Sequence, residues 1–144
     1  MCPGPPGSAV PRHPDALVIM AKVPEAGAVK TRLCPPLLPE EAADLYRAFL
    51  VDVGRETRNW SRDCDRFIAW TGAEGEEPPE ALTSCLGEGY TWLRQCEGSL
   101  ARRMEDVFGR LQAAGYSRVV MRNSDSPHLP MHWIAQAFEA LDGG

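Results

Sequence analysis

The sequence predicts a three-layer α/β sandwich around a mostly parallel sheet. Strand-like and helix-like segments alternate along the chain in the order β-α-β-(α)-β-α-β-α. The first strand-like segment, Ala16–Ala21 (ALVIMA), is continuously apolar rather than alternating, as a strand covered on both faces must be. Two charged, breaker-containing loops directly follow strand-like runs, and in open parallel sheets ligands bind outside the carboxyl ends of the strands.

After Ala16–Ala21, the stretch Lys22–Pro39 carries Gly27 and four prolines and reads as a loop. A helix is expected over Pro39–Arg58. Pro39 suits its first turn, and Glu40 and Glu41 complement the positive end of its dipole. Ala42, Leu45, Tyr46, Phe49 and Val53 are spaced to form an inward stripe. Arg66–Trp70 (RFIAW) is a second strand and Thr71–Pro79 an acidic loop. Glu80–Leu86 is a short helix and Tyr90–Gln95 a third strand. Ser99–Ala114 is a helix with Ser99 as N-cap and Gly115 as its stop; Leu100, Met104, Val107, Phe108 and Leu111 form its stripe. Arg118–Arg122 (RVVMR) is the fourth strand. Pro130–Leu141 is the last helix, with Trp133, Ile134, Ala137, Phe138 and Leu141 inward.

A length of 144 residues suits a single domain. Met1–Pro14 is rich in Pro and Gly without apolar periodicity, which marks a disordered tail ahead of a domain over residues 15–144. The tail lacks the charged and apolar regions of a secretory signal. No run approaches the ~18 apolar residues of a membrane span. The 15 basic and 20 acidic residues leave a net charge of −5, which argues against nonspecific nucleic-acid binding but permits a local basic pocket. Five cysteines, none in C-x-x-C spacing, suggest neither a zinc site nor a disulfide framework. Reduced thiols and a cytoplasmic location are expected.

The loop Lys22–Leu33 (KVPEAGAVKTRL) concentrates Lys22, Lys30 and Arg32 in an acidic protein. Several cations converging on closely spaced oxygens are what a polyphosphate requires. Gly27 lends backbone freedom, Thr31 a hydroxyl, and Lys30 and Arg32 different donor geometries. The loop fits neither the G-x-x-x-x-G-K-[ST] nor the G-x-G-x-x-G pattern. It equally fits a solvated basic loop whose charges pair with Glu25 or Glu40. The second loop, Asn123–Pro130 (NSDSPHLP), offers Asp125 as a carboxylate for Mg²⁺ or Mn²⁺, which take hard oxygen ligands and often one protein carboxylate plus substrate phosphates. His128 is a further ligand or polar contact. The alternative is a turn or helix cap made by Ser124, Asp125 or Ser126. His13 and His132 have no identifiable partner.

Several segments resemble one family. MAKVPEAGAVKTRL followed by PEEAADLYRAF is similar to the A-K-x-P-x-x-G-x-V-K-T-R-L and P-E-E-A-A-x-L-Y-x-A-F patterns of the bacterial DUF2064 proteins. These are glycosyltransferase-like and are also called radical-SAM/selenodomain-associated transferase 1. QCEGSLARRM and NSDSPHLP resemble that family's Q-x-G-x-L-x-x-R-M and G-S-D-x-P-x-L-P segments, so the likeness extends over about residues 16–142. It implies the nucleotide-diphospho-sugar transferase fold, a GT-A-like relative of the Rossmann fold. It also implies nucleotide or phosphate contacts at Lys22, Gly27, Lys30, Thr31, Arg32 and Arg103, with Met104 beside the last, and a metal-binding Asp125. Ser99 stands where the family has Asp, and Asn123 where it has Gly. The family is longer than this chain, so on this resemblance the C-terminal part of the domain, with its D-G-G-Y-Y motif and acceptor side, is missing.

The activity implied is metal-dependent transfer from a nucleotide-activated donor, in the first place an NDP-sugar. A guanylyltransferase-like nucleotidyltransferase using an NTP and a small phosphorylated acid is the alternative. An inactive truncated remnant that binds nucleotide or a partner is the third reading, and whether the chain is itself catalytic stays open. No general base is identifiable, and a homo-oligomer is compatible with the sequence.

Overall fold

The computed structural model describes residues 11–126 and 129–142. The elements follow the expected order: β1 (Asp15–Lys22), α1 (Pro39–Arg58), β2 (Asp65–Thr71), α2 (Glu80–Leu86), β3 (Thr91–Arg94), α3 (Leu100–Ala113), β4 (Arg118–Asn123) and α4 (Met131–Asp142). A short 3-10 turn, Thr31–Leu33, interrupts the first loop. The four strands form one sheet in the order β3-β2-β1-β4, with every pairing parallel.

β1 is buried along almost its whole length, which accounts for its unbroken apolar run. Its side chains alternate between two cores. Ile19 and Ala21 join Ile68 and Trp70 of β2 under α1 and α2. Ala16 and Val18 join Phe67 and Ala69 under α3. Leu17, on the same face as Ile19, packs with Val120 against Ile134 and Phe138 of α4. Helices α1, α2 and α4 therefore cover one face and α3 the other. The chain steps one way from β1 through β2 to β3 and returns across the sheet to β4. Right-handed connections then demand helices on opposite faces for the two directions.

Three expected stripes are turned from their predicted orientation. In α1 the buried residues are Ala42, Ala43, Tyr46, Leu50, Val53, Gly54 and Thr57, while Leu45 is exposed and Phe49 half-buried. The cause is α2, which packs beside the helix and draws its buried stripe toward Gly54. In α3, Leu100 is 57% exposed and Arg110 is buried instead, donating to the Arg94 carbonyl at 2.7 Å and lying 3.0 Å from Asp106. In α4, Trp133 and Leu141 are exposed, and Ile134 and Phe138 carry the packing. The helix signals agree with the expected ends. The Ser99 hydroxyl accepts from the Arg102 N–H, and Gly115 adopts φ +110° just beyond α3.

Residues 11–14, expected to belong to the tail, lie against the body. Residues 1–10 lie outside the described residues. From Arg12 onward the chain is bonded to the body: the Arg12 N–H donates to Asp65, and the Pro14 carbonyl accepts from Ser117 and Arg118. Backbone pairing of this kind needs no apolar period, so composition does not reveal it. No helix among the described residues is long and apolar enough to cross a membrane.

Two stability predictions follow from the α1 packing. A Cβ at Gly54 would lie 2.8 Å from the Leu86 carbonyl oxygen, a backbone atom. Gly54→Ala would gain up to about 1 kcal/mol of helix propensity, but overpacking costs typically about 1–3 kcal/mol. We expect a net loss of stability in urea denaturation; a gain would mean that α1 and α2 are not in this contact. The Tyr90 hydroxyl donates to the Gly54 carbonyl at 2.6 Å, and burial pushes the phenol from 10.0 up to about 12. The folded state thus holds this proton more tightly than the unfolded chain. The contribution is complete below pH 10 and is lost as pH rises to about 12. The melting temperature should fall through that window, and Tyr90→Phe should flatten part of the fall.

Candidate functional site

The ladder between β1 and β4 ends at the pair Met20↔Asn123, and beyond it the two strands are no longer paired. A cleft of about 530 Å³ opens at this point, on the carboxyl-terminal edge of the sheet. Lys22, Lys30, Arg103 and Asp125 line it, together with Tyr46, Gln95 and Ser124. Three cationic side chains thus face one carboxylate in a protein whose net charge is −5.

The basic loop is shaped by its own bonds. The Lys22 ammonium donates to the Ala28 carbonyl at 2.9 Å, closing the loop on itself. Gly27 takes φ +80° with open space where a Cβ would stand, so the backbone angle rather than crowding calls for glycine. Lys30 also lies in the left-handed region, at φ 54°, a conformation that costs a non-glycine residue on the order of 1 kcal/mol. Its ammonium sits 3.0 Å from the Asp125 carboxylate and 5.0 Å over the Phe49 ring. The two loops, nearly a hundred residues apart in sequence, therefore meet across the cleft.

Four of the seven residues picked out from sequence are brought together: Lys22, Lys30, Arg103 and Asp125. The other three, Gly27, Thr31 and Arg32, are not in the cleft lining. Thr31 and Arg32 are exposed on the 3-10 turn that begins directly after the left-handed residue. Met104 is half-buried on α3, and His128 lies outside the described residues. Asp125 makes the ion pair with Lys30 rather than only a turn, and Lys30 does not pair with Glu25 or Glu40.

The residues that hold the cleft in shape were not picked out from sequence as site residues. Gln95 is buried at the end of β3. Its amide donates to the carbonyl of Ala69 at 2.8 Å and lies 3.4 Å from that of Ala21, joining the ends of β2 and β1. Its Oε1 accepts from Arg103 at 2.8 Å. Arg103 Nε is buried without a partner, and its side chain also borders a second hollow of about 400 Å³ lined by Glu74, Arg94 and Glu97. Tyr46, read as a core residue, carries its hydroxyl to the cleft floor, where it bonds Ser124 Oγ at 2.7 Å. Arg122 is only 4% exposed; it donates to the Ser126 carbonyl at 3.1 Å and to the Thr57 hydroxyl at 3.1 Å, and burial lowers its pKa. The available signals were a glutamine ending an apolar strand and a tyrosine in an apolar stripe, whose hydroxyl needs a partner once buried.

An open parallel α/β sheet with a cationic cleft at its strand ends defines the class of protein. The chain belongs to the DUF2064 family, described as uncharacterized proteins conserved in bacteria, whose model matches residues 57–144. It is also similar to a crystal structure from Desulfovibrio desulfuricans described as a candidate nucleotide-diphospho-sugar transferase. The two are 29% identical with a TM-score of 0.78, over 90% of this chain and 55% of the other. This chain thus spans little more than half the length of that relative. The likeness takes in the α/β fold expected from the sequence. No curated protein matches the chain.

The bonds of the site rank its residues by stability. Gln95→Leu leaves the half-buried Arg103 side chain without its amide partner and removes the amide's bonds to the Ala69 and Ala21 carbonyls, and should cost about 1–3 kcal/mol in urea denaturation. Lys30→Ala removes an ion pair whose carboxylate side is half exposed, and should cost no more than about 1 kcal/mol. The reverse order would show that the strand ends are not clamped through Gln95.

Proposed function

We propose that the cleft holds the diphosphate of a nucleotide-activated donor, an NDP-sugar in the first place, for a glycosyltransferase-like transfer. The observation that carries this reading is the convergence of Lys22, Lys30 and Arg103 with Asp125 on one rim at the strand ends. Membership of the family and the likeness to a candidate nucleotide-diphospho-sugar transferase support it. Lys30 grips one phosphate as a point charge. Arg103, already oriented by Gln95, offers its planar fork to the next.

The donor set is consistent with a metal that arrives with the ligand. Among the described residues, Asp125 is the single carboxylate lining the cleft, and no group of three or more His, Cys, Asp or Glu capable of holding an ion occurs. One protein carboxylate plus phosphate oxygens is a common Mg²⁺ arrangement, so Asp125 would hold Mg²⁺ or Mn²⁺. When bound, the ion would neutralise charge on the diphosphate leaving group. Lys30, now paired with Asp125, would move its ammonium from carboxylate to phosphate, and the cations would stabilise the charge that grows as the donor bond breaks.

Calorimetry with a panel of nucleoside diphosphates, NDP-sugars and triphosphates, with and without Mn²⁺, tests the reading. Binding of diphosphates and NDP-sugars is expected. Lys30→Ala and Arg103→Ala should each weaken it about tenfold or more, the worth of a charge-assisted bond. Arg32→Ala should change it little, and Asp125→Asn should remove the Mn²⁺ dependence. Binding of triphosphates alone would favour the nucleotidyltransferase reading. Normal binding by both Lys30→Ala and Arg103→Ala would dismiss the cleft as the donor site.

A further inference from the structure

We infer that Tyr46 is a positioning residue: its hydroxyl ties the root of the basic loop to the root of the loop that carries Asp125 and thereby sets the spacing at which Lys30 and Asp125 face a diphosphate. The inference rests on the nucleotide-donor reading above. Its geometry stands where the sheet stops. The last ladder pair of β1 and β4 is Met20↔Asn123, so no strand pairing fixes Lys22 relative to Ser124. The Lys22 backbone N–H donates to the Tyr46 hydroxyl at 2.9 Å, and that hydroxyl and Ser124 Oγ share a bond of 2.7 Å. One phenol replaces the missing rungs of the ladder.

Tyr46 is 4% exposed and Ser124 is equally buried, so water competes weakly for these bonds. Burial raises the phenol's pKa, and it keeps its proton at neutral pH. It can therefore accept from Lys22 and still donate to Ser124. On the far side of Asp125, the buried Arg122 holds the Ser126 carbonyl. The carboxylate thus sits between two residues anchored from below. A phenylalanine would keep the ring among Ile19, Ala43 and Leu50 but leave the Lys22 N–H and Ser124 Oγ without this partner.

A second phenol supplies the control. Tyr90 also bonds α1, through the Gly54 carbonyl, but does not line the cleft. Tyr46→Phe and Tyr90→Phe are compared by amide hydrogen exchange without ligand, and by affinity for inorganic pyrophosphate with Mn²⁺ well below the melting temperature. Tyr46→Phe should raise exchange about tenfold at Lys22 and at Ser124 to Ser126 without affecting the amides of β2, and weaken pyrophosphate binding about tenfold, the worth of a buried hydrogen-bond partner. Tyr90→Phe should lower the melting temperature and leave both readouts unchanged. Unaltered exchange at the two loops in Tyr46→Phe, or equal loss of pyrophosphate affinity in both variants, overturns the inference. If the unaltered protein binds no pyrophosphate, the donor reading fails instead. A loop-confined rise in exchange then still upholds the tie, and its absence defeats it.

Discussion

β1 lies between two helical layers and can carry almost nothing but apolar side chains, since a polar group there would be desolvated without a partner. That constraint drives chemistry out of the sheet and onto its carboxyl-terminal edge, where the backbone leaves the ladder and charged side chains regain space. The cleft, its charge and its anchoring follow from where β1 stops. Gln95 and Tyr46 sit at the boundary: Gln95 bonds the Ala69 carbonyl and Arg103, and Tyr46 bonds the Lys22 N–H and the Ser124 hydroxyl, which the β1–β4 ladder does not reach.

The Lys30–Asp125 pair shows how the two loops are matched. Neither residue is strongly held by its own element. Lys30 occupies a left-handed backbone conformation, and Asp125 is half exposed. Each charge therefore depends on the other and on the groups beneath them. An ion pair this accessible contributes little to stability, which leaves both partners free to exchange one another for a ligand at small cost.

The alternation of strands and helices and the continuous apolar run of β1 were legible in the sequence because burial on both faces permits only one composition. Element boundaries were legible where a residue enforces them, as Ser99, Gly115 and Pro39 do. Helix orientation was less so. The stripe of α1 depends on Gly54 meeting Leu86, a contact between elements that no local period encodes. Within the site, Lys30 and Asp125 stood out through charge and loop position. Arg32 did so as well, yet it lies outside the cleft because the left-handed turn at Lys30 leads into an exposed 3-10 turn. Gln95 and Tyr46 were hidden for the opposite reason: they act through short bonds to backbone and hydroxyl groups, and nothing in their spacing distinguishes them from packing residues.

Arg103 borders both the main cleft and the neighbouring hollow, and one of its donors is already committed to Gln95. A guanidinium has five N–H groups in a fixed plane, so turning it toward an occupant on one side withdraws it from the other. The two hollows therefore share one wall, and any reorientation of that guanidinium would reshape both at once.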